Sequence, residues 1–266
     1  MKFLVFVKQI PDPDIPPAQF RIDTEKKTVA PPPGSSPAVS TYDELAVEAA
    51  LRLRDDVGGE VTVVSLNNNP VMNVIKKPLA MGSDNLILLQ DDAFEGGDAM
   101  TTARVLAAAA KKIGEYDLIL CGRQAGDWDN GQVGSYVAEM LGVPIVINSG
   151  KLEIKGDRIR VERTTKDGRD IIESPFPSII TAGDEIGVAR YPKLRDIMAA
   201  GRKQPEIWNA QDLGLDPSKV GDAGALTKVN RLYVEEKSSQ VEMIQADTPA
   251  EAGEQLALKL RELKII

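Results

Sequence analysis

The residues of this chain best suited to chemistry lie in one run, Gly122-Arg123-Gln124-Ala125-Gly126-Asp127-Trp128-Asp129-Asn130-Gly131-Gln132-Val133-Gly134. It follows the apolar stretch 118–121 (LILC) and precedes a helical pattern. Its four glycines let the backbone approach a ligand closely, and a helix N-terminus offers unpaired N–H groups to a phosphate. Arg123 and Gln124 add side-chain donors. Neither GxGxxG nor GxxxxGK[ST] is present, which argues against a dinucleotide fingerprint and an NTPase P-loop. Taken alone, the run also reads as an ordinary glycine-rich connection. Two further turns join it: Ser40-Thr41-Tyr42-Asp43, and residues 91–98 (DDAFEGGD). Each has a plain structural reading, a capping box for the first and a polar loop for the second. Three such turns on one edge of one sheet point together to a nucleotide site.

What is missing narrows the chemistry further. The 266 residues include no histidine and a single cysteine, Cys121. Ser-His-Asp and Cys-His catalysis, His-ligated metals, thiolate zinc clusters and intrachain disulfides are thereby excluded. Redox or proton chemistry would have to come from a bound cofactor. Cys121, at the end of an apolar run, reads as a small core residue rather than a reactive thiol. Trp128 either stacks on a base or covers the loop. With 42% hydrophobic and 27% charged residues, the chain is expected to be globular. Its net charge of −8 disfavours nucleic acid and anionic lipid. No apolar run approaches ~18 residues, so the chain is not expected to be membrane-embedded. Residues 1–7 are too short for a secretory signal, and a cytoplasmic location is expected.

The elements that must position these turns alternate. Residues 3–7 read as a buried strand. Residues 11–37 follow, with eight of the 17 prolines, as a stiffened loop. Thr41 as N-cap with Glu44 opens a helix that Gly58-Gly59 ends. Strand 61–66, helix 71–81, strand 85–89, helix 98–113, strand 118–121, helix 131–141 and strand 143–146 complete the alternation. This predicts an α/β fold, a doubly wound and mostly parallel sheet. A small β hairpin over 150–165 and a strand at 178–182 follow. Residues 1–202 are expected to form the nucleotide-binding domain. Residues 203–266 read as an extended arm that ends in a helix, capped by Thr248 and Glu251 and carrying a stripe of Ala252, Leu256, Leu260 and Leu263.

Five segments, in order, resemble the beta subunit of electron transfer flavoprotein over essentially the whole chain. They are 3–12 (FLVFVKQIPD), 42–54 (YDELAVEAALRLR), 80–84 (AMGSD), 117–134 (DLILCGRQAGDWDNGQVG) and 189–198 (ARYPKLRDIM). The resemblance implies an adenine nucleotide alpha hydrolase-like sheet. It also implies a heterodimer with an alpha subunit and an FAD shared with that subunit. A second nucleotide, FAD or AMP, would sit in this chain at Phe6, Ser40, Thr41, Tyr42, Asp43, Leu66 and the loop from Gly122 to Gly134. Tyr42 would lie close to the shared flavin. Arg190, Tyr191, Leu194, Ile197 and Met198 match the segment that meets electron-transfer partners, which would be an acyl-CoA or other dehydrogenase and a downstream oxidoreductase. The C-terminal arm matches the part that embraces the alpha subunit.

Asp98, Thr102 and the 121–134 run resemble the electron-bifurcating branch, in which the second nucleotide is FAD and NADH is a substrate. This places FAD ahead of AMP. Departures exist: Ser40-Thr41 stands where the family has Asn-Pro, and Asp127-Trp128-Asp129-Asn130 where that branch has Asp-Gly-Asp-Thr. A stand-alone adenine-nucleotide-binding regulatory protein is the alternative, against which the long arm argues.

Overall fold

The computed structural model describes residues 1–234 and 241–266, in two units, 1–232 and 233–266. The chain opens with β1 (Lys2–Phe6), whose side chains alternate between two cores. Phe3 and Val5 face one and Leu4 and Phe6 the other, as the period of a strand requires. The proline-rich loop that follows is closed at its base by a two-stranded ladder, β2 (Gln9–Ile10) with β5 (Ala38–Val39). Within it β3 (Arg21–Asp23) pairs with β4 (Thr28–Ala30). Prolines flank these ladders rather than entering a central strand.

Next come α1 (Thr41–Val57), β6 (Glu60–Leu66), α2 (Met72–Ile75), α3 (Lys77–Met81), β7 (Asn85–Leu89), α4 (Ala99–Ile113), β8 (Leu118–Gly122) and α5 (Val133–Leu141). Then follow β9 (Ile145–Lys155), β10 (Arg158–Thr165), β11 (Gly168–Pro175), β12 (Ser178–Ala182), α6 (Leu194–Arg202), β13 (Glu206–Trp208) and α7 (Gly221–Gly224). Nine strands make one sheet in the order β11-β10-β9-β12-β8-β1-β6-β7-β13. Every pairing from β9 to β13 along that order is parallel, and β9-β10-β11 is antiparallel. One core lies under α1 and α3, the other under α4 and α5. The sheet is therefore doubly wound, as the alternation predicts.

The strand order reverses at β1. The chain steps outward through β6 and β7, then returns to lay β8 on the other side of β1. Such a switch point leaves a crevice outside the carboxyl ends of the two diverging strands.

Several local expectations are corrected. Helix 71–81 is two short helices, broken beside Pro78, which lacks the N–H a continuous helix needs. The expected hairpin over 150–165 is a three-stranded extension. Its first strand is continuous with residues 145–146, and its third, β11, repeats the alternation weakly, with only Ser174 buried. Ser40, not Thr41, is the residue before α1, and it makes no side-chain cap. Within the stretch expected to be an arm, β13 joins the sheet edge beside β7, and the first unit runs on to Leu232. Three residues are too few to show a period.

In the second unit, α8 (Pro249–Glu262) is capped as expected, with Thr248 Oγ1 accepting from Glu251 N at 3.3 Å. None of its residues is buried.

Candidate functional site

The crevice at the switch point is built around the first turn of α1. Asp43 is buried, and its two oxygens accept backbone N–H groups from both sides of the switch. Lys8 N, just past β1, donates to Oδ2 at 2.8 Å, and Gly122 N, the last residue of β8, donates to Oδ1 at 2.9 Å. Burial pushes the Asp43 carboxyl up to about 7, although both N–H donors and the Lys8 charge oppose it. Gly122 is required here, since a Cβ would sit 2.6 Å from Asp43 Oδ1 and 2.6 Å from Tyr42 Cβ.

The same helix turn also holds the loop at 122–134. Gly126 N donates to the buried Ser40 Oγ at 3.3 Å. Lys8 Nζ binds both carboxylate oxygens of Asp127, at 2.8 and 2.7 Å. Sequence reasoning did not single out Lys8; its position directly after an apolar strand, facing an acidic loop, was the available signal. Gln124 Nε2 donates to Asp129 Oδ1 at 2.9 Å, and Asp129 N donates to Ala125 O at 2.9 Å. Asp129 and Gly131, with φ of +51° and +62°, turn the loop into α5. Among the described residues no side chain caps α5, which leaves its first-turn N–H groups without a side-chain acceptor. Gly134 brings that turn close to β8, with a Cβ there only 3.0 Å from Cys121 Sγ.

Arg123 crosses the crevice. Its Nη2 donates to the Tyr42 hydroxyl at 2.7 Å, and the guanidinium lies 4.5 Å from the centre of the Tyr42 ring. Asp184 approaches the same Nη2 at 3.4 Å. Among the described residues, Arg123 Nε is buried with no hydrogen-bond partner. An orphaned guanidinium donor, open helix N–H groups and a glycine-lined backbone fit an anionic phosphate chain.

The structure thus brings together Ser40, Thr41, Tyr42, Asp43 and the loop holding Gly122, Arg123, Gln124, Ala125, Gly126, Asp127, Asp129, Asn130, Gly131, Gln132, Val133 and Gly134. Phe6 is a core residue at the end of β1, and Leu66 ends the neighbouring β6. Asp98 and Thr102 stand apart at the start of α4. Asp98 Oδ1 accepts from Thr101 N at 2.9 Å, and Oδ2 accepts from Leu226 N and Thr227 N at 2.8 and 3.0 Å. Partial burial works against the Asp98 carboxylate, but those N–H donors outweigh it and hold the group down to about 2. Cys121 is buried, and desolvation pushes its thiol up to about 12, consistent with a core residue.

The partner segment divides in two. Arg190 is turned inward onto Glu48, whereas Tyr191, Leu194, Ile197 and Met198 are exposed. Among the described residues there is no acidic or thiol cluster able to hold a metal, and no helix is long and apolar enough to cross a membrane.

A doubly wound, mostly parallel sheet with a glycine-rich loop at its switch point defines a doubly wound α/β protein. Residues 35–213 match the electron transfer flavoprotein domain model, and the chain belongs to the electron transfer flavoprotein family. It is 41% identical to the electron transfer flavoprotein subunit beta of Thermoanaerobacterium thermosaccharolyticum, over 86% of each chain. It is 37% identical to the subunit of the same name from Clostridium acetobutylicum, over 98% of each. The caffeyl-CoA reductase-Etf complex subunit CarD of Acetobacterium woodii is 35% identical over the full length of both.

Proposed function

We propose that this chain is the beta subunit of a heterodimeric electron transfer flavoprotein and holds its own FAD in the switch-point crevice. The observation that carries this reading is the Arg123 guanidinium, with one buried N–H unpaired, beside the open first turn of α5. In this reading the N–H groups of α5 and the 122–134 backbone bind the pyrophosphate. Arg123 supplies the compensating charge, and the Lys8–Asp127 pair fixes the loop. FAD supplies the one- and two-electron chemistry that a chain without histidine and with a buried cysteine lacks, including acceptance of hydride from NADH. Tyr42, held by Arg123, borders the flavin shared with the alpha subunit. The alpha subunit packs on α8, whose Leu256 and Leu258 are exposed.

Electrons leave or enter through an exposed apolar segment at the start of α6. Val188, Tyr191, Leu194, Ile197 and Met198 are all exposed there, a density that single-chain surfaces rarely leave uncovered. A dehydrogenase and a second oxidoreductase dock on it in turn.

The test is nucleotide content of the heterodimer after acid release and chromatography. Two FAD per heterodimer, with NADH oxidation, is the expected result. One FAD with one AMP overturns the FAD assignment and leaves a simple carrier. No flavin and no stable heterodimer overturns the whole reading.

A further inference from the structure

The docking segment is not held by its own packing. In α6 only Ala200 is buried, and the residues leading into it from β12 form no regular element except a single 3-10 turn at Asp184–Ile186. What fixes them is a buried carboxylate on α1. Glu48 has a side chain 5% exposed and accepts four hydrogen bonds from Arg52 and Arg190, the longest from Arg190 Nη2 to Oε1 at 3.4 Å. Arg190 N donates to Oε2 at 3.0 Å and Arg190 Nε donates to the same oxygen at 2.8 Å. Arg52 Nε, one helical turn on, donates to Oε1 at 2.7 Å. Arg52 then spends its remaining fork on the segment's backbone, with Nη1 to Ile186 O at 2.7 Å and Nη2 to Val188 O at 2.9 Å. Asp55, a further turn along α1, takes Arg190 Nη2 at 3.0 Å. Two forks and two carboxylates therefore pin residues 186–190 to one face of α1, where the exposed apolar side chains begin with Val188.

The far end is pinned by charge as well. Lys76, buried between α2 and α3, donates its ammonium to Gly201 O at 3.0 Å, near the C-terminus of α6. A cation at that end of a helix also suits its dipole.

We infer that Glu48 is a positioning residue for electron exchange: through Arg52 and Arg190 it presents residues 188–198 to the protein partner as a preformed surface. The inference rests on the docking role given above to that segment. Preformed loops bind partners without the ordering cost that a mobile loop carries. Loosening the clamp should therefore weaken docking while leaving electron transfer in the docked complex intact. The other end of the same helix forms the nucleotide crevice, so the clamp also fixes the docking surface relative to the cofactor site.

The test uses the heterodimer with an acyl-CoA dehydrogenase, reduced by its acyl-CoA substrate, as the probe partner. Arg190→Gln, on a half-buried side chain, is the milder variant and Glu48→Gln the direct one; Leu194→Ala removes a docking side chain without touching the clamp. For Arg190→Gln and Glu48→Gln, KM for the dehydrogenase should rise about ten-fold with kcat and flavin content unchanged, the scale expected when one charge-assisted hydrogen bond is removed. Hydrogen exchange at residues 186–190 should accelerate in both. The double variant should be no worse than Glu48→Gln alone, because both substitutions break one network. Should Leu194→Ala raise KM while both clamp variants leave KM and exchange at wild-type values, the positioning role is overturned and the docking reading stands. Should Leu194→Ala leave KM unchanged, the docking reading fails, and the inference fails with it.

Discussion

Lys8, two residues past β1, and Gly122, which ends β8, point their backbone N–H groups at one carboxylate, that of Asp43, at 2.8 and 2.9 Å. The first turn of α1 therefore ties together the two walls of the crevice. Buried and accepting both bonds, Asp43 acts as a strut between those walls.

The strut titrates. Its folded value of about 7, set chiefly by burial, lies above the ordinary 3.8. Between those two values the native chain binds more protons than the unfolded chain. The Asp43 contribution is thus complete below pH 3.8 and is lost as pH rises through about 7. Asp43→Asn should flatten the fall in unfolding midpoint between those limits. The amide can satisfy only one of the two N–H donors, so a general loss of about 1–3 kcal/mol should accompany it. Midpoints of thermal unfolding at pH 5 and pH 8 check both effects (values chosen on either side of the titration, with about 7 as its centre). An unchanged pH slope in the variant would show that Asp43 is not the titrating group.

Gly122→Ala places a methyl 2.6 Å from Asp43 Oδ1 and 2.9 Å from the Tyr42 carbonyl carbon. Neither neighbour is the free end of a flexible chain, so β8 and α1 must separate. A stability loss of roughly 1–3 kcal/mol is expected, with nucleotide content lowered. Gly156→Ala is the contrast: that glycine has open space around it, but its φ of +60° adds strain in a distant turn. It should lower stability without changing nucleotide content.

Much of this was legible before the structure. Apolar runs alternating with capped helical patterns pointed to the doubly wound sheet, because burial on both faces leaves a strong imprint on a parallel strand. The 122–134 loop was legible from its glycines. The interactions that shape it were not: the pairs Lys8–Asp127, Ser40–Gly126 and Tyr42–Arg123 span up to 119 positions of sequence, and no periodicity records such pairings. β11 and β13 escaped for a related reason. Both lie at sheet edges, where one side of the strand faces solvent and the apolar signal fades. The motif around Asp98 was legible as a candidate ligand, but its bonds to Leu226 N and Thr227 N, far along the chain, were not.

Arg123→Gln keeps a donor near Tyr42 but removes the charge and the fork. In the reading proposed above, it should weaken nucleotide binding by about ten- to a hundred-fold, as expected for charge-assisted bonds to phosphate. Arg123→Lys should recover only part of the loss, because an ammonium cannot span the Tyr42 hydroxyl and a phosphate with a planar fork. Equilibrium dialysis of the heterodimer against AMP and FAD distinguishes these outcomes. Equal affinity in wild type and Arg123→Gln would remove Arg123 from the site.

Asp98→Ala separates an anchor from a ligand. One oxygen caps α4 through Thr101 N, and the other holds Leu226 N, Thr227 N and, at 3.2 Å, the Thr227 hydroxyl. With these donors in place the carboxylate has little capacity left for a ribose hydroxyl. The variant should lose about 1 kcal/mol from the missing cap. Amide exchange at residues 226 and 227 should accelerate by about ten-fold or more, since the bonds that protect them end on the deleted group. Because the folded carboxyl lies near 2, below its ordinary 3.8, the wild-type advantage is complete above pH 3.8 and disappears as pH falls through about 2. Nucleotide content should stay at the wild-type level. A drop in content with exchange at 226–227 unchanged would reverse the assignment and make Asp98 a ligand after all.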